Sequence, residues 1–158
     1  MKTVYFTATS LDGYIAAPDN NLDWLLQFAA EDPTFSEFIK DIGAICMGSS
    51  TYEWVLKHDT YADPSNPKPW VYEQPTWIFT SRTLKSVENA DIRFVKGDVR
   101  PVYEQMREVA GGKDIWIVGG GHLAAQFHEH GLLDEIVATF APVILTEGAP
   151  LFTTSIIK

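Results

Sequence analysis

Six short runs rich in apolar, β-branched and aromatic residues recur along the chain, and segments with helical features separate most of them. The runs cover residues 2–9, 44–47, 76–80, 92–95, 114–118 and 134–140. Strands that alternate with helices are joined by crossover connections, which place neighbouring strands parallel in one sheet. The pattern therefore predicts an α/β fold with a largely parallel sheet.

The predicted helices are marked by residues that favour helix starts. The asparagines at 20–21 are predicted to cap a short helix, and Asp32 and Pro33 are predicted to open a second one. Pro101 is predicted to start a longer helix in the second half of the chain. Four prolines between residues 57 and 75 predict a surface loop.

Length and composition bound the class of protein. A chain of 158 residues fits a single domain, residues 1–158, and 46% apolar with 13% aromatic residues excludes intrinsic disorder. The single cysteine, Cys46, excludes a disulfide framework and a multi-cysteine zinc site. Because Cys46 lies inside an apolar strand, we expect it in the core, and we expect no metal centre.

The net charge of −9 disfavours nucleic acid and anionic membranes as partners. Residues 82–113 depart from this trend, with seven basic and five acidic side chains. They are the first place to look for a phosphorylated ligand, although the charge excess taken alone favours an ordinary solvated surface. No segment reaches the ~20 apolar residues of a membrane span. The N-terminus resembles a strand rather than a signal peptide, so we expect a cytoplasmic protein.

Three predicted strand-to-helix junctions could carry a ligand. They lie at residues 47–51, 80–82 and 118–122, and they are rich in glycine, serine and threonine. Ligands of open α/β sheets bind outside the carboxyl ends of the strands, where the N–H groups of helix N-termini suit phosphate. Each junction alone could be only a tight connection, but three together favour a nucleotide site. The standard Rossmann and Walker glycine motifs are absent.

Two other polar features are interpreted as structural. His128 and His130 are two positions apart, so on a helix they do not share a face and do not form a metal pair. We expect them at a solvated helix end before Gly131. Asp12 precedes Gly13 and is predicted to form a turn.

Five segments carry a family resemblance, in order over nearly the whole chain. They are residues 10–16, 47–53, 79–82, 117–121 and 141–152. With them the chain resembles the dihydrofolate reductase-like superfamily, and more closely the stand-alone relatives of the riboflavin-biosynthesis reductase domain. The resemblance implies a three-layer fold, in which helices cover both faces of a central, mostly parallel mixed sheet. It also implies a homodimer and NADPH-dependent hydride transfer to a ribosylamino-pyrimidine-like or related heteroaromatic substrate.

Two alternatives to this activity remain open. One is a true dihydrofolate reductase, although residues 141–152 favour the riboflavin branch. The other is a dimeric nucleotide-binding protein without catalysis. Loss of reduced-nicotinamide absorbance across a panel of pterins and pyrimidines would separate them.

The resemblance also assigns residues to the cofactor. They are Ala8, Ile15 and Ala16 at the nicotinamide, Gly48, Ser49, Ser50, Thr51, Val118, Gly119, Gly120, Gly121, His122 and Leu123 at the phosphates, and Thr80, Ser81 and Arg82 at the adenosine ribose. A cis peptide between Gly119 and Gly120 is expected on the same ground. Arg82 would meet the 2′-phosphate of NADPH, but Ser49 and Ser50 stand where relatives often have arginine, so NADH is not excluded.

Asp32 is the candidate catalytic acid. It lies near the start of a predicted helix, where dihydrofolate reductases keep an acidic residue. The alternative is that Asp32 only caps the helix that begins at Pro33.

Overall fold

The computed structural model describes residues 1–28 and 32–154. Within them the strands are β1 (Thr3–Thr9), β2 (Tyr14–Ala16), β3 (Ile42–Gly48), β4 (Thr76–Phe79), β5 (Ile92–Val95), β6 (Asp114–Gly119), β7 (Glu135–Phe140) and β8 (Ala149–Pro150). The α-helices are α1 (Asp23–Leu26), α2 (Pro33–Phe38), α3 (Ser49–Val55), α4 (Val99–Ala110) and α5 (Gly121–Glu129). Single helical turns at Pro18–Asn20, Ile39–Asp41 and Leu56–Thr60 complete the helical segments.

Six strands form one sheet in the order β5-β4-β3-β6-β1-β7, and each neighbouring pair is parallel. The remaining two strands, β2 and β8, form a separate antiparallel pair. The predicted α/β fold with a mostly parallel sheet is therefore confirmed. Its carboxyl strand ends lie at one edge, which is where such sheets bind ligands.

Apolar side chains cover both faces of the sheet, because successive residues of a buried strand point to opposite sides. On one face, Tyr5 and Cys46 pack with Met106 of α4 and Phe127 of α5. On the other face, residues of β1, β3 and β6 pack with α3 and with the aromatic side chains of α2. The two cores produce the three layers that the resemblance implied.

Element boundaries differ from the sequence predictions at several helices. The helix predicted to start at Pro101 begins at Val99, because the Asp98 side chain accepts a hydrogen bond from Arg100 N at 2.9 Å and caps it. The sequence predicts a turn at residues 48–51 and a helix from Tyr52, whereas helix α3 begins at Ser49. It also predicts a short helix that carries Leu22, Leu25 and Phe28, whereas helix α1 ends at Leu26.

The sequence predicts a loop or bulge at residues 11–16, after the first strand, but residues 14–16 form strand β2. Its partner β8 comes from the far end of the chain. In the described part of the chain, no helix is both long and apolar enough to cross a membrane.

Candidate active site

A cavity of about 420 Å³ lies at the carboxyl ends of β3 and β6, where α3 and α5 begin. We call it the α3–α5 cavity. Ten of the residues assigned to a cofactor by resemblance line it, namely Ile15, Ala16, Gly48, Ser49, Ser50, Thr51, Gly120, Gly121, His122 and Leu123. The structure thus brings residues of two predicted junctions and of the 10–16 segment to one place.

The two helices present their N-termini to this cavity. Gly48 precedes α3 and Gly120 precedes α5, and neither start has a side-chain cap hydrogen bond. The first backbone N–H groups of a helix have no partner within the helix, and the positive end of the helix dipole lies there. Ser49, Ser50 and Thr51 add hydroxyl groups to the same wall. The arrangement suits a phosphate or pyrophosphate group.

The glycine turn between β6 and α5 shapes the floor of the cavity. The peptide between Gly119 and Gly120 is cis, which confirms the expectation from the resemblance. A Cβ built on Gly120 would lie 3.6 Å from Ile15 Cδ1, an ordinary contact. A Cβ built on Gly121 would lie 2.6 Å from the Leu151 carbonyl oxygen, which is too close. Gly120 therefore borders the cavity, whereas Gly121 allows the chain at residues 150–151 to cross the start of α5.

A further wall of the α3–α5 cavity comes from the β2–β8 pair, through Ile15, Ala16, Ala149 and Pro150. At Leu151, one hydrogen bond extends this pair and another joins it to β1. Leu151 N donates to the Gly13 carbonyl oxygen at 2.8 Å, and the Tyr5 hydroxyl donates to the Leu151 carbonyl oxygen at 3.0 Å. Burial raises the pKa of Tyr5, so its hydroxyl stays protonated and able to donate.

Sequence reasoning missed several residues of the cavity lining. They are Asn20, Leu22, Trp54, Phe79, Gln126, Ala149, Pro150 and Thr153. A signal existed for Trp54, which is four positions after Ser50 and so on the same helix face. Ala149 and Pro150 belonged to a segment quoted for the resemblance, but nothing local indicated that they meet β2.

A second cavity, of about 400 Å³, lies at the ends of β1, β6 and β7. We call it the Trp116 cavity, and its lining consists of Phe6, Thr7, Ala8, Asp32, Phe35, Trp116, Val118 and Thr139. Ala8 and Val118, both assigned to the cofactor by resemblance, line this cavity rather than the first. Strand β6 and the turn after it lie between the two cavities, because Val118 borders one and Gly120 the other.

Aromatic rings form one wall of the Trp116 cavity. The rings of Phe35 and Trp116 meet edge to face with centroids 5.3 Å apart, and Phe6 meets Phe35 at 5.8 Å. Trp116 Nε1 donates to the Phe6 carbonyl oxygen at 3.0 Å, which fixes the indole. Flat apolar walls of this kind suit a planar ring.

Asp32 is the carboxylate of this second cavity. It is exposed, and its Oδ1 accepts a hydrogen bond from Thr34 N at 2.9 Å, so the predicted cap of α2 is present. Capping and lining are compatible, because a carboxylate has two oxygens. The role of Asp32 as an acid stays a prediction.

Thr80, Ser81 and Arg82 lie outside the lining of both cavities. Arg82 N donates to Thr80 Oγ1 at 3.0 Å, and the Arg82 guanidinium forms an ion pair with the Glu53 carboxylate. Other arginines of the net-positive segment 82–113 also have acidic partners; Arg93, for example, binds Asp91 at 2.8 Å. The assignment of these three residues to the adenosine ribose stays a prediction.

Asp12 does more than form the predicted turn. It accepts hydrogen bonds from Ser10 Oγ at 2.6 Å, from Leu145 N at 3.0 Å and from Thr146 N at 2.7 Å. These donors, Ser10 first, lower the pKa of Asp12 to about 2.

Cys46 is fully buried, as predicted, and burial raises the pKa of its thiol. Helix α5 ends at Glu129 and His130 is exposed, which confirms the solvated helix end. Among the described residues, no group of three or more histidine, cysteine or acidic side chains could hold a metal ion.

Solved structures resemble this fold over its whole length. A protein of Shewanella sp. PV-4, named for riboflavin biosynthesis, has a TM-score of 0.80 and 29% sequence identity, and the match covers 100% of this chain and 86% of that one. The Thermotoga maritima diaminohydroxyphosphoribosylaminopyrimidine deaminase/5-amino-6-(5-phosphoribosylamino)uracil reductase has a TM-score of 0.62 and 16% identity, with 98% of this chain matching 49% of that one. Dihydrofolate reductase of Enterococcus faecalis, solved with NADP(H) and RAB-propyl, has a TM-score of 0.58 and 18% identity. That match covers 97% of this chain and 77% of the reductase. At these last two identities the likeness shows the fold alone.

Sequence comparison identifies the family. Two uncharacterized proteins of Bacillus subtilis strain 168 are similar along most of their length. YwjB is 33% identical over 152 residues, which cover 96% of this chain and 82% of YwjB. YyaP is 32% identical over 149 residues, which cover 92% of this chain and 77% of YyaP. The profile of the RibD C-terminal domain matches residues 2–157. This chain therefore belongs to the RibD C-terminal domain family, the dihydrofolate reductase-like reductase family that its sequence resembles.

Proposed function

We propose that the protein is a reductase that uses a reduced nicotinamide dinucleotide, NADPH by its family resemblance, to reduce a ribosylamino-pyrimidine-like or related heteroaromatic substrate. One observation carries the proposal: β6 and its glycine turn separate a cavity built on two uncapped helix starts from an aromatic cavity that holds a carboxylate. The first suits a dinucleotide and the second a planar substrate.

The residues of the α3–α5 cavity fit the dinucleotide. The free N–H groups at Gly121 and His122 and the hydroxyls of Ser49 and Ser50 would hold its pyrophosphate. Ile15 and neighbouring apolar side chains of the β2–β8 wall would exclude water from its ring. When bound, the dinucleotide supplies the hydride; this chain supplies alignment.

The Trp116 cavity would hold the substrate ring against Phe35 and Trp116. Reduction of a ring carbon by hydride leaves a negative charge that a proton must neutralise. Asp32 is the acid at this cavity, and we propose that its carboxyl oxygen holds that proton directly or through a water. Because Asp32 is exposed, solvent can return the proton after each turnover.

A second candidate function is reduction of a pterin. It is favoured by the placement of Asp32 at the start of α2, beside an aromatic wall that would accept a bicyclic ring. Binding of a nucleotide without turnover is the third possibility. The homodimer implied by the resemblance is a separate proposal, which sedimentation of the purified protein would check.

The decisive experiment is a substrate panel followed by the loss of absorbance of the reduced nicotinamide. The panel pairs a phosphoribosylamino-pyrimidine and dihydrofolate with each of NADPH and NADH. Turnover of the pyrimidine supports the leading proposal, and turnover of dihydrofolate alone supports the second. Dinucleotide binding without any turnover contradicts both reductase proposals.

A further inference from the structure

An ion pair joins helix α3 to the turn after strand β4. The Glu53 carboxylate binds the Arg82 guanidinium, and the two side chains are 47% and 56% exposed. They are 29 positions apart in the sequence, so the pair is a product of the fold. Exposed ion pairs of this kind contribute little to the stability of a fold. This leaves room for a role in binding.

The pair follows or precedes residues that line the α3–α5 cavity, and we call this position the rim of the cavity. Glu53 immediately precedes Trp54, whose side chain lines that cavity, and it follows Ser50 by one helical turn. Arg82 is three residues after Phe79, which also lines the cavity. Both members of the pair therefore adjoin the lining without being part of it.

The backbone holds Arg82 in this position. Thr80 N donates to the Val95 carbonyl oxygen at 2.8 Å, which ties the end of β4 to β5. Thr80 Oγ1 then accepts from Arg82 N at 3.0 Å, which closes a tight turn. The turn directs the chain at Arg82 back toward α3, where Glu53 meets the guanidinium.

The Glu53 side chain favours NADH, whereas the Arg82 side chain favours NADPH. In dinucleotide-binding α/β folds, a carboxylate accepts a hydrogen bond from the ribose 2′-hydroxyl of NADH, whereas an arginine binds the 2′-phosphate of NADPH. Here one residue of each kind occupies the same rim, and each is engaged by the other. A 2′-phosphate must displace the Glu53 carboxylate from Arg82 and also meets its negative charge.

We propose that the Glu53–Arg82 pair sets cofactor choice, and that it allows this protein to bind NADH about as well as NADPH. Glu53 offsets the attraction of Arg82 for the 2′-phosphate and offers an acceptor to the 2′-hydroxyl. Ser49 and Ser50, at the start of α3, bring no further positive charge to that wall. The inference rests on the proposed function, because it concerns the dinucleotide of the α3–α5 cavity.

The test measures dissociation constants for NADPH and NADH, with quenching of the protein's tryptophan fluorescence as the signal. The wild-type protein should bind the two within about tenfold of each other. Glu53→Gln frees Arg82 without changing the shape of the side chain, and should shift the ratio toward NADPH by about tenfold or more. Arg82→Ala should shift it toward NADH by a similar factor.

Matched controls separate a shift in the NADPH/NADH affinity ratio from the effect of losing any surface charge and from the effect of unfolding. Glu104→Gln removes another exposed carboxylate, which lies near Arg107 on α4 and outside the cavity lining, and it should leave the ratio unchanged. Thermal unfolding of each variant checks that the fold persists. The half-cofactor probes 2′,5′-ADP and 5′-AMP should follow the same trend, because they contain only the adenosine end.

The outcomes distinguish the two proposals. If both dinucleotides bind but Glu53→Gln leaves their ratio unchanged, the inference is overturned and the proposed function stands. A wild-type preference for NADPH of about a hundredfold or more also overturns it. If neither dinucleotide binds the wild-type protein, the proposed function fails, and the inference fails with it.

Discussion

Asp12 accepts a hydrogen bond from Thr146 N at 2.7 Å, across 134 positions of sequence. Asp12 lies just before β2 and Thr146 just before β8, so the contact joins the two segments that form one wall of the α3–α5 cavity. Leu145 N donates to the same carboxylate at 3.0 Å. A residue that the sequence marks as a turn former thus also holds a wall of the candidate cofactor site.

We predict that, at acid pH, the Tm of Asp12→Asn depends less on pH than the Tm of the wild-type protein does. Hydrogen bonds, first from Ser10 and then from Leu145, lower the pKa of Asp12 from 3.8 to about 2. A lowered folded-state pKa stabilises the fold above the unfolded pKa, and this stabilisation is lost as pH falls through the folded value. Between pH 4 and pH 2, the Tm of the wild-type protein should therefore fall more steeply than that of Asp12→Asn.

Asp98 is the matched control for that experiment. Its pKa is also about 2, because Arg100 donates to it, and it caps α4 outside the cavity lining. Asp98→Asn should flatten the same part of the Tm profile without changing dinucleotide affinity. Asp12→Asn should flatten the Tm profile and also weaken dinucleotide binding. Unchanged binding would mean that the hydrogen bonds of Asp12 to Leu145 and Thr146 have no influence on the cavity.

Two adjacent glycines should respond differently to alanine. At Gly120 the backbone has φ −94°, which alanine adopts easily, and the new methyl group would meet only Ile15 at 3.6 Å. Gly120→Ala should keep its Tm but lose about tenfold in dinucleotide affinity, because the methyl group narrows the approach to the helix start.

At Gly121 the new methyl group would lie 2.6 Å from the Leu151 carbonyl oxygen. Gly121→Ala should therefore destabilise the fold by about 1–3 kcal/mol, as overpacking does. Thermal unfolding and NADPH titration on both variants give the comparison. If Gly120→Ala binds NADPH as tightly as the wild-type protein does, the glycine turn is not part of the cofactor site.

Cys46 should be inert in the native state. It is fully buried in β3, and burial raises the pKa of its thiol, so the reactive thiolate is not formed at neutral pH. Labelling with a thiol reagent should follow the rate of unfolding and reach one equivalent only in denaturant. Rapid labelling of the native protein would show that the strand opens locally.

The main sheet could be predicted from the sequence because its signal is local. Runs such as residues 44–47 and 114–118 are short and mostly apolar, and each is followed by glycine at the turn into the next helix. Both junctions indeed meet at the α3–α5 cavity. The cis peptide at Gly119 was expected only from the resemblance, since no local pattern specifies it.

The features of the fold and the site that the sequence does not predict depend on contacts between distant segments. Strand β8 has two residues, too few for any periodic signal, and it exists because β2 pairs with it. The Glu53–Arg82 pair likewise joins two residues that are 29 positions apart, and no local pattern in the sequence indicates that they meet. The resemblance assigns Ala8 and Ile15 together to the nicotinamide, whereas in the structure Ala8 of β1 lines the Trp116 cavity and Ile15 of β2 lines the α3–α5 cavity.

The last prediction concerns Asp32, which caps α2 and also lines the Trp116 cavity. Asparagine caps a helix about as well as aspartate does, but it cannot release a proton. Asp32→Asn should therefore keep the Tm and the dinucleotide affinity of the wild-type protein. If Asp32 holds the proton in the reaction, turnover should fall by roughly 10²–10⁴-fold.

Asp32→Ala completes the comparison, because it removes both the acid and the cap. It should lose the same activity and, in addition, about 1 kcal/mol of stability. The measurements are kcat with saturating NADPH, KM for the reduced substrate and thermal unfolding, made on all three proteins. A fall in kcat without a change in dinucleotide Kd places the loss in the chemical step. If Asp32→Asn turns over at the wild-type rate while Asp32→Ala only melts earlier, Asp32 is a cap alone and the proton must come from water.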